Sequence, residues 1–344
     1  MTPGKWNAIT DVAGLSVGHT TITRGDSVRT GVTAILPDTG NLFQRKVPAA
    51  IFVGNGFGKL TGISQVTELG TIEAPVILTN TLSVAAAMDA VVEYTLNQTG
   101  NSGIGSVNAV VGETNDGWLN DIRGRHVTRQ DVLKAISTAK TGPVLQGNVG
   151  AGTGTVCFGF KGGIGTSSRK LPTALGGYTV GVIVQTNFGG VLEIAGVPVG
   201  KELGKFSFND QLLNNADGSC MIVVATDAPI SSRNLQRLAK RAFMGLAKTG
   251  GIASNGSGDY VIAFSTNDSL RILHSPAGPT SLQPELHNEY VTPLFMAAIE
   301  ATEEAIINSL FTAESLKGFN GHEVKPLPLD LVIPIMKKYN RIKK

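Results

Sequence analysis

The run Gly218-Ser219-Cys220-Met221-Ile222-Val223-Val224-Ala225-Thr226-Asp227-Ala228-Pro229 follows a polar, bend-forming stretch, Asn214-Asn215-Ala216-Asp217. Its apolar residues are continuous. A strand with one wet face alternates, whereas an uninterrupted apolar run marks a strand covered on both faces. The run therefore predicts a central strand with layers packed on either side. Ser219 stands where the loop enters that strand. Gly218 carries no Cβ, which leaves its carbonyl open to attack and its backbone free to bend. The pair fits a chain that severs the Gly218–Ser219 bond and uses the new N-terminal serine as a nucleophile. It also fits an ordinary turn before a strand, so other residues must decide.

Further buried strands are predicted at 49–53, 107–111, 180–185 and 260–265, with helices between them at 83–96, 127–139, 231–248 and 294–311. Thr128, with Asp131 three residues on, signals an N-cap, and Ser232 and Gly250 bracket the helix at 231–248. Interleaved helices and doubly covered strands predict an α/β fold, an α-β-β-α sandwich of two stacked sheets with helices outside. The 43 glycines are spread throughout and mark tight turns, and no repeat period is found. Residues 199–218 read as an exposed linker. Cleavage there would give an α-chain of 1–218 and a β-chain of 219–344, two products sharing the core of one domain.

Composition narrows the function. A net charge of +3 without a basic stripe leaves no electrostatic footprint for nucleic acid. The basic face Arg233, Arg237, Lys240 and Arg241 reads as solvated surface or subunit contact. Cys157 and Cys220 lie in apolar segments and read as buried small residues, and the five histidines are too scattered for a metal site. No apolar stretch reaches the ~20 residues that span a bilayer. Met1-Thr2-Pro3-Gly4-Lys5-Trp6 lacks a signal-peptide pattern, so a cytoplasmic protein without membrane partners is expected. Only 16% of residues are charged, which fits a surface partly covered in a homo-oligomer.

Several motifs occur in order: Ile9-Thr10-Asp11-Val12-Ala13-Gly14-Leu15-Ser16-Val17-Gly18-His19, Gly54-Asn55-Gly56-Phe57-Gly58-Lys59, Gly112-Glu113-Thr114-Asn115-Asp116-Gly117, Gln185-Thr186-Asn187-Phe188-Gly189, the Ser219 segment, and Ser254-Asn255-Gly256-Ser257-Gly258-Asp259. Together they resemble the self-processing peptidases of the DmpA and β-peptidyl aminopeptidase family, to which nylon-oligomer hydrolase is related. The resemblance covers nearly the whole chain. It implies a DmpA/ornithine acetyltransferase-like sandwich, cleavage between Gly218 and Ser219, and an assembly of αβ units. It also implies roles for Ser219 as nucleophile and for Ser257 and Asp259 in holding it and relaying protons. Aspartate at 259 is one methylene shorter than the glutamate expected in the aminopeptidases. Asn187 is implied as oxyanion donor, Glu113 as the carboxylate for a substrate ammonium, and Asn115 as a substrate contact where relatives can carry tyrosine.

The residues themselves make this chemistry workable. A serine hydroxyl needs a base, and an N-terminal serine carries one: its α-amine, with a pKa of about 7.7–8.0, is partly neutral near pH 7–8. No Gly-x-Ser-x-Gly elbow competes. The glycine-rich stretches at 54–58 and 150–154 lack phosphate-loop context, and no cofactor or metal is expected. The expected activity is removal of small L-, D- or β-aminoacyl residues from short peptides and amides. A nylon-oligomer-type amidase and an uncut, non-catalytic binding or assembly protein remain as alternatives. Acyl transfer, which in the related transferases uses threonine, is disfavoured by Ser219.

Overall fold

The computed structural model of the protein describes residues 1–209 and 218–342. The principal strands are β1 (Ser16–Arg24), β2 (Val28–Leu36), β3 (Arg45–Gly56), β4 (Val76–Asn80), β5 (Val110–Thr114), β6 (Gly163–Lys170), β7 (Thr179–Asn187), β8 (Ser219–Thr226) and β9 (Gly258–Ser265). The helices are α1 (Ile63–Leu69), α2 (Val84–Leu96), α3 (Arg129–Ser137), α4 (Val199–Glu202), α5 (Ser232–Lys248), α6 (Thr292–Phe311) and α7 (Leu329–Lys338).

One sheet has the order β1-β2-β4-β5. The other runs from the short strand Ile272–Leu273 through β3-β9-β8-β7 to β6. Helices α2 and α3 cover the first sheet and α5 and α6 the second, which gives the expected four-layer order. Each interface has its own apolar cluster, and β8 explains why its run has no polar gap. Met221, Val223 and Ala225 pack between the sheets, while Cys220, Ile222 and Val224 face the helices. Alternate side chains point to opposite faces, so a strand apolar at every position fills two interfaces at once.

Local signals hold where side chains close them. Thr128 caps α3 by accepting from the Asp131 amide, and Asp131 reaches back to the Thr128 amide, forming the capping box. The cap expected at Ser232 is not found. Ser231 occupies that position, its hydroxyl is given to Glu285, and Ser232 is the first helical residue. The basic face of α5 turns partly inward: the Arg237 and Arg241 guanidinium groups lie 5.1 and 4.5 Å from the Phe295 ring centroid. On α6 the acidic side is paired internally, Glu300 and Glu304 with Arg169 and Glu303 with Lys248.

The 199–218 linker needs correction at its start. Val199–Glu202 is a helical turn with Val199 and Gly200 buried, because the apolar Val197-Pro198-Val199 segment packs into the core. Residues 210–217 of the linker lie outside the described residues. Among those described, no helix is long and apolar enough to cross a membrane.

Candidate active site

Three strand ends converge on Ser219. It is the first residue of β8, paired with Asn187 at the end of antiparallel β7 and with Gly258 at the start of parallel β9. Inward alternation places Ser219 on the same face as Met221, between the sheets. Asn187 and Glu113 open with Ser219 into one cleft of about 1000 Å³. Phe57 and Trp118 line it too. Trp118 is braced by His322, stacked at 3.9 Å between ring centroids.

The Gly258 backbone N–H stands 3.2 Å from both Ser219 Oγ and the Gly218 carbonyl oxygen, donating to each. One donor therefore spans the hydroxyl and the carbonyl immediately before it. A Cβ on residue 218 would fall 2.2 Å from the Asn187 carbonyl oxygen and 2.5 Å from Phe188 Cα, so only glycine fits there.

Asn187 is held at both ends of its amide. Its Oδ1 accepts from the Val156 N–H at 2.9 Å and its Nδ2 donates to the Asn115 carbonyl at 3.0 Å. One amide hydrogen is left for the cleft. The Asn115 side-chain oxygen closes its own turn, accepting from the Gly117 N–H at 2.9 Å, and the exposed side chain lines the cleft. The Asn115 backbone carbonyl in addition orients Asn187.

Glu113 lies within β5 rather than beyond the strand, since β5 runs Val110–Thr114 and not 107–111. The carboxylate is buried. It accepts from the Lys59 backbone N–H at 2.9 Å and from the Thr81 hydroxyl. These neutral donors fix its direction without neutralising it, leaving charge for a cation in the cleft.

Asp259 belongs to β9 and not to a preceding turn. A register shift between Asp259 and Tyr260 re-aims it. Burial raises its carboxyl pKa to about 6, and the nearby Ser257 hydroxyl and Cys220 backbone amide pull it only part of the way back. Neither group is aligned as a full hydrogen bond: both Asp259 oxygens and the Ser257 hydroxyl are buried without a partner. The Ser257 carbonyl is fixed instead, accepting from Asn55 Nδ2 at 2.5 Å. The Cys157 thiol is pushed up to about 12 by burial and Cys220 is raised as well, so neither competes as a nucleophile.

A model of peptidase family S58 matches residues 7–324. The chain belongs to peptidase family S58. Among relatives of this S58 chain, the β-peptidyl aminopeptidase BapA of Sphingosinicella microcystinivorans is 43% identical over 99% of this chain and 90% of that protein. A Burkholderia sp. β-aminopeptidase superposes with a TM-score of 0.90 at 39% identity, covering 98% of this chain and 95% of that one. The L-aminopeptidase D-Ala-esterase/amidase of Ochrobactrum anthropi, a prototype for the serine aminopeptidases with a variant Ntn-hydrolase fold, superposes with a TM-score of 0.92. It is 36% identical and covers 99% of this chain and 96% of that one. The S58 chain shares that fold, and its activity is that of an aminopeptidase.

Several supporting residues escape a reading of the sequence. Thr81, which opens a helical turn, the Lys59 amide from a loop and the Val156 amide from a short strand are brought together only by the fold. Lys161 is fully buried, its Nζ donating to the Gly152 and Gly162 carbonyls at 3.0 and 2.8 Å, and burial brings its pKa down to about 7. Asp116, raised to about 7 by burial, accepts from Asn120 Nδ2 at 2.9 Å and ties down the loop that carries Asn115.

Proposed function

We propose that this S58 aminopeptidase cuts itself between Gly218 and Ser219 and that the freed Ser219 is its nucleophile. The shared Gly258 N–H carries this reading. Ser219 Oγ would attack the Gly218 carbonyl carbon while that N–H supports the carbonyl oxygen, passing the acyl group from nitrogen to oxygen. Water would then hydrolyse the ester and leave a Gly218 carboxylate and a Ser219 amine. The products would be chains 1–218 and 219–344. Asp259 favours the same reading, because a buried carboxylate without partners is costly until a cation arrives. The new ammonium of Ser219 is such a cation, one strand position away across the β8–β9 pair, where Ser219 is opposite Gly258 and Asp259 opposite Cys220.

In turnover, with the Ser219 α-amine in its neutral form, Glu113 would hold the substrate ammonium and Ser219 Oγ, its proton taken by that amine, would attack the substrate carbonyl. The free Asn187 amide hydrogen would stabilise the oxyanion, a contribution of about 2.7–4 kcal/mol for one donor. The departing amine would be protonated by the Ser219 ammonium or through Ser257, and water would release the acyl group. No cofactor takes part. The named activities of the relatives make β-aminoacyl, small L-aminoacyl and D-alanyl peptides and amides the substrates to test, in a cytoplasmic homo-oligomer of αβ units. Hydrolysis of β-alanyl or L-alanyl p-nitroanilide with a free amine, but not of its N-acetyl form, tests the reading. Equal turnover of both forms would sink it.

Two variants probe the self-cleavage. Gly218→Ala is expected to slow processing roughly a hundredfold, because ångström misplacement of reacting groups costs about that much. The fraction of uncut chain by intact mass reads this directly. Asp259→Asn, placed on an uncut Ser219→Ala background, tests the orphan carboxylate. The folded pKa of Asp259 is raised to about 6, so folding holds its proton more tightly than the unfolded chain does. That stability is complete below pH 4 and is lost as pH rises through 6. The Tm advantage of Asn over Asp at this site should therefore grow between pH 4 and pH 7. An advantage constant across that range would mean the carboxylate is already paired.

A further inference from the structure

On the far side of Asn187 from Glu113, the cleft is walled by the hairpin formed by Val156–Cys157 and Phe160–Lys161, whose Val156 N–H holds the Asn187 amide. Two lysines gather on this hairpin. The Lys205 ammonium sits 4.2 Å over the Phe160 ring centroid, and a Cβ built on Gly159 would lie 2.8 Å from Lys205 Cε, so the glycine makes room for the lysine stem. Lys325 is anchored by its carbonyl, which accepts from the Lys161 N–H at 2.8 Å. Both line the cleft, and among the described residues neither enters an ion pair. Among the described residues lining the cleft, Glu323, exposed on the same rim, is the only acidic residue beside them.

The cleft is thus polarised. The buried Glu113 carboxylate stands toward Gly58 and Gly258, with Lys59 beside it turned over the Phe57 ring, and two cations without an ion pair stand at the hairpin. A substrate bound with its ammonium at Glu113 and its scissile carbonyl at Ser219 sends its leaving residue toward the hairpin. We propose that Lys205 and Lys325 bind a carboxylate in that leaving residue, so that the preferred substrates are very short peptides with an acidic end close behind the scissile bond. Lys205 supports this: its stem lies against Gly159 and Phe160, where partial desolvation lowers its pKa with no acid among the described residues to offset it, and a substrate carboxylate would supply a partner. The inference rests on the aminopeptidase mechanism proposed above and adds the selection of the leaving half.

The test compares kcat/KM within matched pairs on the processed enzyme: β-alanyl-leucine against its C-terminal amide, and β-alanyl-Asp-NH2 against β-alanyl-Asn-NH2. The first pair reads a terminal carboxylate and the second a side-chain one. For two exposed ion pairs the acid should be preferred about tenfold in at least one pair. The preference should fall to within about twofold of unity in Lys205→Ala/Lys325→Ala and persist in Lys205→Arg/Lys325→Arg, since both charges remain in the latter. Because each ratio is taken on one enzyme sample, partial misfolding cancels. No preference in either wild-type pair, or a preference that survives the double alanine variant, overturns the inference while leaving the aminopeptidase reading intact. Failure to hydrolyse any of the four substrates would overturn the reading itself, and this inference with it.

Discussion

Ser219→Ala is expected to leave one full-length chain and to lower aminopeptidase turnover at least about ten-thousandfold, as removal of a nucleophile does when covalent catalysis is lost. The two losses have one cause. On the proposed mechanism the same hydroxyl would meet the Gly218 carbonyl before cleavage and the substrate carbonyl after it. Cys220 is adjacent in sequence but faces the helical layer, and its thiol is held protonated by burial. The variant should fold, since alanine removes only a hydroxyl that accepts one 3.2 Å hydrogen bond from Gly258. Intact-mass analysis and N-terminal sequencing check the result: the parent should show a second polypeptide starting Ser-Cys-Met-Ile, and the variant should not. Cleavage that persists in the variant would reassign the nucleophile.

Glu113→Gln should lower kcat/KM for substrates with a free amine by at least about a hundredfold, since breaking a buried charge pair costs about 3–5 kcal/mol. Glutamine keeps the local shape. Its oxygen can still accept from the Lys59 N–H, and the Thr81 hydroxyl can turn to accept from the new amide. Processing should therefore proceed, and the defect should appear in aminoacyl p-nitroanilide kinetics alone. A variant within about threefold of the parent would mean that the substrate ammonium is held elsewhere.

The layers and central strands were legible because burial on two faces writes itself as unbroken apolar sequence. Residues 221–226 and 180–185 are examples, and both lie inside observed strands. That signal fades where strands become polar, and here they become polar at the cleft. β5 was therefore displaced by three residues, since Glu113 and Thr114 do not read as strand. For the same reason Ser219, Asn187 and Asp259 read as strand-flanking residues, although pairing continues through them. The candidate site residues were legible through motif resemblance, which places residue types but not their partners. The grip on Asn187 by Val156 and Asn115, and that on Glu113 by Lys59 and Thr81, joins segments far apart in sequence. Several of those bonds are backbone amides and carbonyls, which every residue has and no sequence pattern distinguishes.

The order of strands in the larger sheet carries a further consequence. β3, β6 and β7 precede residue 218, while β8 and β9 follow it and lie between β3 and β7. A cut before Ser219 would thus leave the second polypeptide clasped on both edges by the first, with backbone hydrogen bonds along every shared border. The nicked molecule would stay whole as long as it stays folded, but it could not return from unfolding as a single chain does. Its two pieces would have to find each other again through solution, and maturation would exchange a recoverable architecture for one assembled only once.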